Sequence, residues 1–380
     1  MKVVVNAFSA RLGGGQTYLR NFLAYMPKRE DLAVLVYAPE GLELPEHVHL
    51  QRKDTFWPTT NPLLRALWER LVLPWLLRSE RADVLFCPGG VVATTAPGGC
   101  RVVTMFRNMI PFDPRTYRNI SGGLQRLRNV ILKRVMLKSM ANADLTIFIS
   151  DYARRVIESM IVIKKPVTIP HGIGSAFRSF DQALERCSFL LEGEYLLYVS
   201  RFDVYKHHYE VVSAYARLPD AIRHRFALVL VGEVDLPEAE RARNLIERLD
   251  LGERVRMLGS IPYSELPAIY HHAHLVLFAS SCENCPNILL EALGSGRPVL
   301  SSNVMPMPEF GGDAVAYFSP FDPDDILKTM LKVLTDNDYA QHLAVAAAQR
   351  STRYDWERTA KATWTHIFRL FETAPPIGKS

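Results

Sequence analysis

The apolar positions of the chain fall into short runs that are hydrophobic on both faces rather than alternating. They are Val3–Asn6, Ala33–Ala38, Asp83–Cys87, Val102–Met105, Leu145–Ser150, Tyr195–Ser200, Ala227–Gly232, Val255–Leu258, Leu275–Ala279 and Pro298–Ser301. Continuous Val/Ile/Leu runs of this kind predict parallel strands covered by helices on both sides. Amphipathic stretches separate most of them, and repeated β–α units imply doubly wound sheets. Two such series occur, joined by the Gly- and Pro-rich segment Ile169-Pro-His-Gly-Ile-Gly-Ser-Ala-Phe177. The pattern predicts an α/β protein with two doubly wound, Rossmann-like domains facing each other across a cleft. The first covers 1–175 and the second 176–355. A last helical stretch, about 356–373, follows the second series and is expected to pack back on the first domain. The tail beyond it is expected to fray.

Composition narrows the classes. Of 380 residues, 48% are apolar and 22% charged, which suits two packed cores and excludes a disordered chain, a collagen-like chain or a small disulfide scaffold. The start, Met1-Lys-Val-Val-Val-Asn6, lacks a long apolar region and a cleavage site, and reads as a first strand. No apolar run is long enough to span a bilayer. Five cysteines in a chain of this size point to a reduced, cytoplasmic setting. The charge is uneven: residues 1–176 hold 24 Lys+Arg against 13 Asp+Glu, and the remainder 45 − 24 = 21 against 40 − 13 = 27. A basic half joined to an acidic half suggests that one domain faces an anionic surface or substrate.

Three segments carry candidate chemistry. Arg11-Leu-Gly-Gly-Gly-Gln-Thr-Tyr18 follows the first strand, and Gly13, Gly14 and Gly15 lead into a helix start that offers amide groups to an anion. It is neither G-x-G-x-x-G nor a Walker loop, and a plain tight turn fits it equally well. In Ser200-Arg201-Phe-Asp-Val-Tyr-Lys206, two cations at a strand's carboxyl end could clamp a diphosphate or form a plain surface pair. The most specific segment is Ala279-Ser-Ser-Cys-Glu283-Asn-Cys-Pro-Asn-Ile-Leu-Leu-Glu291-Ala-Leu-Gly294-Ser-Gly296-Arg-Pro298-Val. Glu283 lies in a loop and Glu291 in the helix that Pro286 opens, so both carboxylates can point into one pocket. The amides of Asn284, Cys285 and Asn287 are expected to face the same pocket. That set suits a sugar hydroxyl, a ribose diol and a phosphate together; the bland alternative is two solvated acids at an ordinary helix start.

Glu283, Glu291, the following Ala-Leu-Gly-Ser-Gly-Arg-Pro-Val, the Arg201/Lys206 pair and Pro170-His-Gly172 resemble the retaining nucleotide-sugar glycosyltransferases of family 4, also called glycosyl transferases group 1. The resemblance covers nearly the whole chain and is most specific from Tyr195 to Asp322. It implies the GT-B fold and a retaining transfer of a sugar from a nucleoside-diphosphate sugar to a glycan or lipid-linked glycan acceptor, with no metal. The setting it implies is assembly of a bacterial surface polysaccharide or glycolipid. Arg201, Lys206 and Glu283 would be catalytic: the cations neutralise the diphosphate and Glu283 contacts the donor sugar. Glu291 would bind the ribose, the segment Asn284, Cys285, Pro286, Asn287 and Ile288 would line the donor, and Gly13–Gly15 would close on the diphosphate. Glu309 matches an acidic position of the family without a firm role.

The chain departs from the family in two places. Many relatives carry a His-Asp pair after the strand that reads here as Val102–Met105, whereas this chain continues Phe106-Arg107-Asn108. Arg107 or Asn108 could contact the sugar or acceptor instead, and His171, in the join, is either structural or lines the cleft. Asn-Cys-Pro-Asn also replaces the commoner Gly-Phe-Gly-Leu-Pro after Glu283. A nucleotide-sugar 2-epimerase of the same fold and a catalytically silent binding subunit stay open as alternatives. Cys282-x-x-Cys285 has no second pair, and His271, His272 and His274 have no carboxylate at fitting spacing, so neither group is read as a metal site. Leu63–Leu77 and Leu124–Met140 are basic and amphipathic, which fits an anionic membrane surface and hence a cytoplasmic protein peripheral to the inner face of the membrane. No nucleic-acid-binding motif is present, so no nucleic-acid partner is expected.

Overall fold

The computed structural model describes residues 1–11, 13–55, 57, 61–115, 123–178 and 193–372. The expected fraying tail and Cys187 lie outside these residues. The chain divides into two units, Met1–Gly172 together with the described residues from Trp356 on, and Ile173–Asp355.

The first unit is built on strands β1 (Lys2–Asn6), β2 (Ala33–Tyr37), β3 (Leu50–Arg52), β4 (Val84–Cys87), β5 (Arg101–Phe106), β6 (Leu145–Phe148) and β7 (Pro166–Thr168). They form one parallel sheet in the order β3-β2-β1-β4-β5-β6-β7. Val4 pairs in register with Leu35 on one side and Leu85 on the other. Side chains alternate across such a sheet, so neighbours feed opposite layers. Leu85 joins a buried cluster with Val4, Leu35, Trp68, Leu73 and Leu77, the last three from helices α2 (Pro62–Leu71) and α3 (Leu73–Ser79). Phe86 instead meets Tyr18 and Phe22 of α1 (Gly14–Ala24). Helix α4 (Leu124–Asn142) and helix α5 (Asp151–Glu158) complete the unit's own span. The last helix packs on α1: the Trp364 ring stacks on Phe22 at 4.5 Å, and its indole N–H donates to the Phe22 carbonyl at 3.2 Å.

The second unit repeats the plan. Strands β8 (Glu194–Val199), β9 (Phe226–Val231), β10 (Val255–Met257), β11 (Leu275–Phe278), β12 (Val299–Ser302) and β13 (Ala316–Phe318) form a parallel sheet ordered β10-β9-β8-β11-β12-β13. Helices α6 (His208–Ala216), α7 (Asp220–Arg225), α8 (Pro237–Arg248), α9 (Leu266–His272), α10 (Asn287–Gly294), α11 (Met307–Gly311), α12 (Pro323–Thr335) and α13 (Asn337–Ser351) cover it; helix α14 (Trp356–Glu372) then belongs to the first unit. The loops leaving β8 and β9 approach closely at Gly232. A Cβ there would stand 1.9 Å from the Ser200 carbonyl oxygen, so only glycine fits.

Candidate functional site

Each sheet reverses its strand order once. In the second unit the chain runs outward from β8 to β10, then returns to lay β11 against the other side of β8. Loops leaving the carboxyl ends of two such strands diverge and leave a crevice. The loop after β8 carries Arg201 and Lys206, and the loop after β11 carries Glu283. The loops are tied together, because the Ser281 amide donates to the Tyr205 carbonyl at 2.8 Å and the Ser281 hydroxyl meets His207 Nε2 at 2.8 Å. Beside that tie, Lys206 Nζ donates to Glu283 Oε1.

Lys206 is held from its backbone. The Tyr198 hydroxyl donates to its carbonyl. The next-but-one residue, His208, stacks between Tyr198 and Phe202 at centroid distances of 4.6 and 3.9 Å. Burial, helped by the Lys206 charge, lowers the His208 pKa to about 3, so this imidazole is a neutral packing element. His207 between them takes the left-handed conformation at φ 54°, a costly one for a residue with a Cβ, and its bond to Ser281 holds it there. Lys206 is only 6% exposed, with its ammonium 5.3 and 5.4 Å from the Tyr205 and Phe278 ring centroids.

Arg201 is placed differently. Its side chain is half exposed, with Nε 3.1 Å from Glu233 Oε2 and 3.8 Å from Asp203 Oδ2. The two cations that the sequence pairs as a clamp thus have different carboxylate partners.

Glu291 lies within α10 and is 7% exposed. Its Oε1 accepts a hydrogen bond from the Tyr263 hydroxyl at 2.9 Å. Burial raises its pKa to about 7, against the lowering effect of that bond. Asn284, Cys285 and Pro286 are buried beside the helix start, while Asn287 and Ile288 are half-buried. One expectation is corrected here: the Asn287 amide donates to the Cys285 carbonyl at 3.0 Å, because the chain closes a tight turn at Pro286 before entering the helix. Tyr263, on a loop without any motif, was not singled out from sequence; its ring also meets Phe177 at 5.4 Å. Nor did sequence indicate that Lys206 and Glu283 pair, since 77 positions separate them.

In the first unit the reversal falls between β1 and β4. Here the loops make contact through small residues: a Cβ on Gly89 would lie 2.6 Å from Ser9 Cβ. Gly13 has φ 55° and precedes α1. Gly14 and Gly15 form the helix's first turn, and a Cβ on Gly15 would lie 3.1 Å from Arg107 Nη1 and 3.3 Å from Ala10 Cα. The structure therefore brings the glycine loop and Arg107 together. Asn108 turns its carboxamide oxygen to the Ile110 amide at 3.1 Å, capping a short helical turn. His171 is 2% exposed and packs between Tyr18 and Trp356 at 5.5 and 5.3 Å. That aromatic packing fits the structural reading of His171 and corrects the cleft-lining one. A buried acid also escaped the sequence reading. Glu69 of α2 accepts from Asn6 Nδ2 at 3.0 Å, with Arg65 Nε at 3.9 Å, and burial raises its pKa.

Comparison with known proteins covers both units. Residues 12–176 match the family described as Glycosyltransferase Family 4, and residues 185–350 the family described as Glycosyl transferases group 1. The serotype-specific mannosyltransferase WbdA of Escherichia coli is 29% identical over 246 residues, which is 63% of this chain and 30% of WbdA. The chain thus spans less than a third of that relative. The O-antigen chain mannosyltransferase B of Escherichia coli is 27% identical over 270 residues, 69% of each protein. Among solved structures, Anabaena HepE in complex with UDP and glucose superposes with a TM-score of 0.70 at 17% identity, covering 97% of this chain and 100% of HepE. That likeness shows the fold, the two-domain GT-B architecture. Among the described residues no helix is long and apolar enough to cross a membrane.

Proposed function

We propose a reaction on one premise: the chain belongs to glycosyltransferase family 4, with a group 1 second domain. It moves a sugar from a nucleoside-diphosphate sugar to a glycan or lipid-linked glycan, with retention, in the building of a bacterial surface polysaccharide. Because both relatives described above are named mannosyltransferases, mannose is the sugar. The observation that carries this reading is the Lys206–Glu283 pair at the crevice between β8 and β11, with Glu291 in the helix that follows.

In this scheme the donor exchanges partners with the protein. Its diphosphate takes the Lys206 ammonium, and Glu283 turns its freed oxygens to the sugar hydroxyls. Glu291, as a carboxylate, accepts from the ribose diol in competition with Tyr263. Lys206 stabilises the charge that gathers on the departing diphosphate, inside a crevice where fixed cations act strongly. The acceptor hydroxyl attacks the face the diphosphate leaves, and a phosphate oxygen takes its proton. Arg201 adds charge at the rim.

Thermal unfolding with UDP, GDP, ADP and dTDP in turn tests the donor site. A nucleotide at a hundred times its dissociation constant adds about 2.7 kcal/mol, or several degrees in Tm. One nucleotide is expected to shift Tm, and Glu291→Ala to remove the shift. Incubation with the matching nucleoside-diphosphate mannose, with and without a glycan acceptor, then reads transfer, and NMR of the new anomeric centre reads retention. No shift with any nucleotide would refute the reading, and sugar isomerisation without an acceptor would replace it with an epimerase.

A further inference from the structure

Two helical segments of the first unit carry apolar rows that the fold does not bury. On α2–α3, Leu63, Leu67, Leu71 and Trp75 recur every fourth residue and are all exposed, Leu63 by 80% and Trp75 by 64%. The row runs through the junction because Val72 keeps helical angles and the Val72 and Leu76 amides continue the hydrogen-bond ladder. On α4, Leu127, Ile131 and Val135 recur in the same way and are also exposed. Both segments already supply buried side chains to the core, Trp68, Leu73 and Leu77 from one and Met136 and Met140 from the other.

The charges beside the rows have one sign. Arg70 and Arg78 flank the first, and Arg126, Arg128, Arg134 and Lys138 the second, all exposed. No acidic residue occurs between Asp113 and Asp144, and Glu69, the one acid in 61–79, is buried. The rows also share a side of the sheet. Val92 packs against the Trp68–Leu77 cluster, and its amide donates to Ser139 Oγ of α4 at 2.9 Å. Right-handed crossovers place both connections on that side as well.

We propose that this side of the first unit docks on a lipid bilayer bearing anionic headgroups, with α2–α3 and α4 lying in the interface. Leucines and an exposed tryptophan enter the boundary of the acyl layer, and the guanidinium groups meet lipid phosphates. A second copy of the chain is the poorer occupant, because it would set arginine against arginine across a desolvated face. The acidic second unit would be repelled by the same surface.

The test uses the full chain, and its readout is independent of catalysis. Co-sedimentation with phosphatidylglycerol/phosphatidylcholine vesicles is expected to retain the protein, and pure phosphatidylcholine vesicles are not. Brominated lipid is expected to quench the fluorescence of Trp75, an effect lost in Trp75→Phe. Arg128→Glu and Arg70→Glu should each weaken partitioning by roughly fivefold or more, and Leu67→Ser with Leu71→Ser by at least roughly tenfold. These positions are exposed, so unchanged Tm is the control for folding. Equal binding to neutral vesicles, no binding, or binding without quenching of Trp75 would each overturn the proposal. So would a dimer in sedimentation equilibrium that Leu67→Ser with Leu71→Ser dissociates.

Discussion

The two units share a sheet plan and differ in what stands at the strand-order reversal. In the second unit the crevice holds Lys206 on Glu283, and the helix that follows carries Glu291 bonded to Tyr263. In the first unit the corresponding loops meet through Ser9 and Gly89, with Gly15 of α1 close to Ala10 and Arg107. The same topology thus gives a charged crevice in one half and a close approach of loops in the other. The surfaces differ in the opposite sense, since the exposed apolar rows and the cations beside them belong to the first unit. Topology sets where loops converge; the side chains at that place decide what they do.

The sharpest contrast lies in the glycines. Gly232→Ala forces a Cβ against the backbone oxygen of Ser200, at a position where φ is 157°. Backbone cannot swing aside as a side chain can. The substitution should cost about 4 kcal/mol or more and in practice prevent folding of the second unit. Gly89→Ala meets only the side chain of Ser9. It should cost clearly less, and Ser9→Gly should recover part of the loss. Urea denaturation of the variants measures both; equal costs would show that the loop contacts of the two units are equally rigid.

Activity should divide the same way. Lys206→Ala removes a buried ammonium from the crevice and leaves Glu283 without its cation. Turnover should fall by about 10²–10³, the range for loss of one preorganised charge-stabilising donor. Arg107→Ala, beside Gly15 of the first unit, should cost less than Lys206→Ala. Steady-state kinetics on the same donor and acceptor measures the two. Near-normal turnover in Lys206→Ala would remove the clamp from the mechanism.

Much of this contrast was legible in the sequence, for physical reasons that can be named. Ten strands announced themselves because strands buried on both faces need unbroken apolar runs. Among the described residues the missed strands are Leu50–Arg52, Pro166–Thr168 and Ala316–Phe318, three-residue edge strands too short to leave an apolar run. Glu283 and Glu291 stood out by type and spacing, and Lys206 through the family resemblance. Their partners did not: Tyr263 reaches Glu291 across 28 positions, and the Lys206–Glu283 pair depends on two loops meeting at the reversal. The Arg201–Lys206 clamp was a spacing argument, and spacing does not show which carboxylate each cation meets. His171 was open between a structural role and lining the cleft, and only tertiary packing, between two aromatic rings, decides for the structural one.

The smallest effect concerns Glu291 and tests whether a binding group is kept at a cost to the fold. Its pKa is raised from 4.5 in the unfolded chain to about 7 in the folded one. Between those values the folded state holds more protons than the unfolded state, so this group makes stability fall as pH rises. Its contribution is fully present below pH 4.5 and lost by the time pH has passed through about 7. At pH 8 the penalty for the ionised form is at most about 3 kcal/mol. Glu291→Gln is uncharged at every pH and fills the same space. It should therefore be more stable than the parent at pH 8, with the difference closing toward pH 4.5. The same variant should bind the nucleotide poorly at both values. The parent should bind best above pH 7, where the carboxylate is ionised and can accept from both ribose hydroxyls. Tm and nucleotide titrations across this range give both curves. If Glu291→Gln gains no stability at pH 8, the carboxylate is well solvated in the fold. If it gains stability and still binds nucleotide normally, Glu291 is a structural residue and the ribose contact lies elsewhere.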